Sequence, residues 1–128
     1  MSEHDQFQAA RERYEAFFGH TPASFDERVR LASSVGRENG VSALEAVRSA
    51  FIYDNALGAR VQQLVHFAQL LVLGHDEAAA LHARTAVRQG ATRSDLVGVV
   101  ETAMITAGVP AYAKGMHLLA ELFDDSDA

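Results

Sequence analysis

Apolar residues recur along the chain at intervals of three and four, between start and stop signals roughly every ~15 residues, and no stretch alternates like a strand. The pattern predicts an all-α bundle of six to seven helices. A first helix is expected from Asp5 to Phe18, with Phe7, Ala10, Tyr14, Phe17 and Phe18 on one stripe and Gly19 as its stop. Ser24 with Glu27, and Ser42 with Glu45, have the form of capping boxes, in which hydroxyl and carboxylate satisfy unpaired backbone donors; they predict the starts of the second and third helices.

The fourth helix, Leu57 to Leu73, carries Val61, Leu64, Val65, Ala68, Leu71 and Val72 at helical spacing, widened by Phe67, Leu70 and Leu73. It is expected to be the central buried helix. Gly74 ends it, Asp76 caps the fifth helix and Gly90 ends that one. Thr92 with Asp95 opens a sixth helix that is apolar nearly all round, through Leu96, Val97, Val99, Val100, Ala103, Met104, Ile105 and Ala107. A helix of that kind is buried on more than one side, and in a short chain the second side calls for another subunit. Gly108 stops it and Pro110 fits the first position of a seventh helix, with Tyr112, Met116, Leu119, Ala120 and Phe123 at core spacing. The acidic tail, residues 124–128, is expected to be frayed.

With 128 residues and 48% hydrophobic content, the chain reads as one domain, its first 40 residues a more charged helical arm and residues 57–123 the main body. A net charge of −6 leaves no basic stripe for phosphates, so nucleic acid is not an expected partner. The longest apolar run, from Leu70 to Gly74, is far short of a membrane span, and the polar, acidic N-terminus shows no secretory signal. A cytoplasmic location follows as the expectation. The chain has no cysteine, which removes disulfides, thiolate nucleophiles, Cys-type zinc sites and peroxidatic redox cycles together.

The stretch from Leu64 to Leu122 resembles the carboxymuconolactone decarboxylase and alkylhydroperoxidase D superfamily. The peroxidase branch works through a glutamate, a Cys-x-x-Cys pair and a histidine; the matching positions here are Gln63, His75, Ala78 and His82, so only the histidine is kept. The decarboxylase branch fits better: Leu73-Gly74, Asp76-Glu77, Leu81-His82-Ala83-Arg84, Gly90-Ala91-Thr92 and Gly108-Val109-Pro110-Ala111 follow its pattern. Gln63 stands where that family often has Glu, Thr106 where it often has Tyr, and Ala107 where some members have Cys. The resemblance implies an all-helical homo-oligomer, commonly a trimer or hexamer, acting without a cofactor on a small carboxylated substrate.

On that basis His82 is the candidate general acid/base, since an imidazole can exchange protons near neutral pH. Gln63 can orient a neighbour or a ligand through its amide but cannot relay a proton as glutamate would. His75, at the position of the first family cysteine, is the third candidate, against a plain role at a helix C-terminus. His66 shares a helix face with Gln63 and joins the candidate polar cluster, although a structural hydrogen bond would explain it equally. An anionic substrate calls for a cation, for which Arg84 and Arg60 are available, and Thr106 is a candidate contact. No His-x-x-x-His spacing occurs, so no metal site is expected. Glu101 is the odd charge in the sixth helix, to be solvent-facing or paired with Arg84 or Lys114. His117, Tyr112 and Tyr53 are expected in the core or an interface. Two functions stay open: a cofactor-free lyase or lactone enzyme, and a non-catalytic oligomer that binds a ligand or partner. Thiol-dependent peroxidase activity has no residues to carry it.

Overall fold

The computed structural model describes residues 7–127, with side chains through Asp124. Within them lie seven α-helices and no strand: α1 Gln8–Phe18, α2 Ala23–Ser34, α3 Glu38–Arg48, α4 Ala59–Leu73, α5 Asp76–Arg88, α6 Arg93–Ala107 and α7 Val109–Asp127. A π-helical turn, Ser49–Tyr53, follows α3. The chain divides into two compact units, residues 1–55 and 56–128.

In the N-terminal unit Phe7, Ala10, Tyr14 and Phe18 of the first stripe are buried with Phe25 and Val29 of α2 and Val41 of α3. Phe7 meets Phe25 edge-on at 5.9 Å, and Tyr14 lies 5.1 Å from Phe25. Gly19 ends α1 in the left-handed conformation, as expected. The expected start of α1 at Asp5 lies outside the described residues. Neither expected capping box forms: α2 begins after Pro22 and α3 after Arg37, both without a side-chain cap bond. Ser42 and Glu45 therefore lie inside α3, and Glu45 is buried. It accepts a hydrogen bond from the Tyr14 hydroxyl at 2.7 Å, while the Arg28 and Arg48 guanidinium groups stand 3.6 and 3.7 Å from its oxygens. A carboxylate with those partners is worth more inside than at a helix end.

The C-terminal unit is two antiparallel hairpins. Helix α4 packs on α5, α6 on α7, and α4 also on α6. The α4–α5 turn works because Gly74 adopts φ 83°, which lets His75 N–H reach the Leu70 carbonyl at 3.0 Å and close the helix end. The inner face of α5 presents Ala79, Ala83 and Ala86, so that α4 can approach closely with fully buried Phe67, whose burial contributes about 2–3 kcal/mol. The expected Thr92–Asp95 capping box is complete in both directions, each bond 3.0 Å. The Thr92 backbone N–H first, then the Thr92 hydroxyl and the Arg60 guanidinium, hold the Asp95 carboxyl below the usual range. The helices approach closely at Gly115 of α7, where an added Cβ would lie 2.8 Å from both Val100 methyls and 2.9 Å from Leu71.

Three expectations for this unit change. The buried line on α4 is Gln63, Phe67 and Leu71, whereas Val65 (42% exposed) and Val72 face outward. A helix apolar on three sides gives no preferred inner face; the alanine face of α5 chooses it. On α7 the buried stripe is Ala111, Gly115 and Leu119, and Tyr112 and Ala120 are exposed. The backbone of α7 is helical through Asp127, into the acidic tail, whose last residue lies outside the described residues. Helix α6 buries Leu96, Val100 and Ala103, while Ile105 on its other side is 79% exposed. Among the described residues no helix is long and apolar enough to cross a membrane.

Candidate functional site

Gln63 and His82 meet inside the α4–α5 hairpin. Gln63 is completely buried and His82 is 7% exposed. His82 Nδ1 and Gln63 Oε1 are 2.7 Å apart. Such burial of an amide and an imidazole is tolerable only because each satisfies the other. The Gln63 Nε2 group donates in turn to Oε1 of Gln62, the preceding residue. His66, one turn on along α4, sets its ring against His82 at a centroid distance of 4.1 Å and an interplanar angle of 68°. Thr85, buried beside His82, donates its hydroxyl to the Leu81 carbonyl at 2.8 Å and so is satisfied within its own helix.

The other candidates lie elsewhere. His75 is exposed at the head of α5, seven residues and so about 10 Å of helix before His82. Arg84 is exposed on α5; Arg60 is half-exposed and bonds Asp95 at 3.2 Å. Thr106 lines an apolar groove between α4 and α6. Glu101 is exposed, and Lys114, one of its expected partners, pairs instead with Asp76 at 3.2 Å. His117 lies at the surface, 3.1 Å from Glu121, instead of in the core; Tyr53 is half-buried and burial pushes its hydroxyl up. No group of three or more His, Cys, Asp or Glu side chains is placed to hold a metal among the described residues.

Grooves of about 560, 420 and 400 Å³ run along α4, α6 and the start of α7. Val61, Leu64, Val65, Ala68 and Val99 line the first, Val72, Leu73 and Ala103 the second, and Met104, Ile105 and Tyr112 the third; none of the three is lined by Gln63, His66 or His82. Sequence reasoning found Gln63, His66 and His82 but missed Gln62, whose partner is visible only once Gln63 is known to point inward. It also missed the buried Glu45 cluster, because a carboxylate three residues after a serine reads as a cap.

An all-helical protein with a buried imidazole–amide pair across a helical hairpin is the class these features define. The chain belongs to the carboxymuconolactone decarboxylase family, whose model matches residues 38–121, from the start of α3 into α7. It is 32% identical over 69 residues to a 4-carboxymuconolactone decarboxylase of Acinetobacter baylyi, an overlap of 54% of this chain and 52% of that protein. The chain thus spans about half the length of that curated relative. No solved structure matches it.

Proposed function

We propose that the protein is a cofactor-free lyase or lactone-transforming enzyme of the cytoplasm, acting on a small carboxylated molecule with His82 as general acid/base. The observation that carries this reading is the hydrogen-bonded Gln63–His82 pair, with His66 against it, inside an otherwise apolar helix pair of the family segment. Loss of carbon dioxide beside a carbonyl leaves an enolate that must take up a proton, and lactone opening likewise needs a proton moved; an imidazole does both. Arg84 is the candidate cation for the substrate carboxylate, since Arg60 already holds Asp95. The name of the Acinetobacter relative supports a carboxymuconolactone-like substrate class.

The test is a panel of decarboxylation and lactone-hydrolysis assays on wild type and His82→Gln in parallel. A loss of about 100-fold or more in kcat is expected, with helix content and assembly unchanged. Equal turnover in both proteins removes His82 from the chemistry.

A second reading is favoured by the grooves. The open apolar face of α4 and α6 suits self-association, as a trimer or hexamer, in a protein that binds without catalysing. Sedimentation of wild type and Ile105→Glu tests the assembly: a dissociated variant supports this face as the contact, and a monomeric wild type rejects it. A properly assembled protein inactive on the whole panel favours the binding role.

A further inference from the structure

We infer that Gln62 and Gln63 act together as a tautomer lock that fixes which nitrogen of His82 exchanges protons. This rests on the acid/base reading of His82 but makes a claim of its own about the resting protein. A carbonyl oxygen accepts and cannot donate, so Oε1 of Gln63 at 2.7 Å requires a proton on His82 Nδ1. The amide's direction is set from behind: its Nε2 end donates to Gln62 Oε1, and turning Gln63 alone would bring two carbonyl oxygens together. In this arrangement donation runs one way, from the imidazole Nδ1–H to Gln63 and from the Gln63 amide to Gln62. Both polar ends of Gln63 are engaged with protein, so the residue positions His82 and not the substrate. Gln62, which no motif singled out, becomes a second positioning residue.

The consequence for the chemistry is specific. In neutral His82 the lone pair lies on Nε2; on taking a proton from a substrate C–H or O–H the ring becomes an imidazolium with both nitrogens protonated. Returning a proton to an enolate or leaving oxygen restores the starting ring. Throughout that cycle the Nδ1 proton stays on the ring, donated to Gln63 Oε1, and Nε2 carries every transfer. An amide orients the ring without adding charge, whereas the family's frequent glutamate would also stabilise the imidazolium. Glutamine at this position gives a weaker base of fixed orientation.

The experiment is nitrogen NMR of the full chain labelled at the histidine rings, with His82 assigned by its absence from the His82→Gln spectrum. In wild type, above the titration of the ring, the Nδ1–H form is expected to dominate, opposite to the preference of a free histidine side chain. Gln63→Leu, similar in volume but without an acceptor, is expected to move His82 to the Nε2–H form, and Gln62→Leu to give a mixture. Gln63→Glu keeps the bond and is expected to raise the His82 midpoint by about one unit or more, since a carboxylate favours the charged ring; His66 is the titratable neighbour shared by both proteins. That variant keeps the side-chain length and supplies a readout should Gln63→Leu not fold. An Nε2–H ring in wild type, a tautomer indifferent to Gln63→Leu, or an unmoved midpoint in Gln63→Glu overturns the lock. A locked tautomer in a protein that turns over none of the panel overturns the acid/base reading alone. Turnover with an unlocked ring overturns the lock alone.

Discussion

Each unit of the molecule buries a polar cluster, and the two are built on opposite plans. In the N-terminal unit Glu45 is surrounded by Tyr14, Arg28 and Arg48, so charge is matched by charge and every carboxylate oxygen has a cationic or hydroxyl neighbour. In the C-terminal unit the Gln63, His66 and His82 side chains form a cluster of two imidazoles and one amide, with no carboxylate among them. The first arrangement fixes three helices and leaves no proton to move at neutral pH; burial and the bond to Glu45 push the Tyr14 hydroxyl up to about 12. The second contains two imidazoles, side chains that can both accept and donate a proton. Burial alone does not separate the two clusters; the charge of the partner does.

The comparison can be broken first at Glu45. Glu45→Ala leaves the Tyr14 hydroxyl without its acceptor and two guanidinium groups without their counter-charge, and is expected to cost about 2–3 kcal/mol in denaturant unfolding, with turnover of folded protein unchanged. A stability within error of wild type would show the cluster to be ornamental. Next comes the packing that supports the other unit: Gly115→Ala drives a methyl into Val100 and Leu71 and is expected to cost about 1–3 kcal/mol. A neutral result there means α7 can slide away from α6. Removing the α6 cap with Thr92→Ala is expected to cost about 1 kcal/mol, read from thermal unfolding.

The last test is invisible at neutral pH. Tyr14 has its folded pKa raised above its ordinary 10.0, so the stability tied to its neutral form is complete below pH 10 and is lost as the pH climbs toward about 12. Tyr14→Phe should flatten that alkaline loss; a variant that unfolds over the same alkaline range as wild type would place the transition elsewhere.

Much of this architecture was legible along the chain. Gly19 and Gly74 stop their helices as expected, and Thr92 with Asp95 forms its cap, because these signals act through backbone geometry within a few residues. Ser42 with Glu45 failed for the complementary reason: local bonding gave way to partners far along the sequence, Tyr14 and Arg28. The candidate site was half legible. Gln63, His66 and His82 were picked by spacing and resemblance, whereas His75, equally marked by its family position, stays at the surface at the head of α5. Periodicity could not tell which side of α4 faces inward, since that depends on the small residues of α5, a property of the partner and not of α4 itself.

Those small residues also constrain how the protein can change. The inner face of α5 offers Ala79, Ala83 and Ala86 around His82, with nothing left to trim except methyl groups. Any variant that makes more room beside the imidazole must therefore shorten a side chain of α4, such as Phe67, and any larger residue on α5 pushes the two helices apart. The room beside the imidazole is thus set by one helix, while the other serves as a fixed wall.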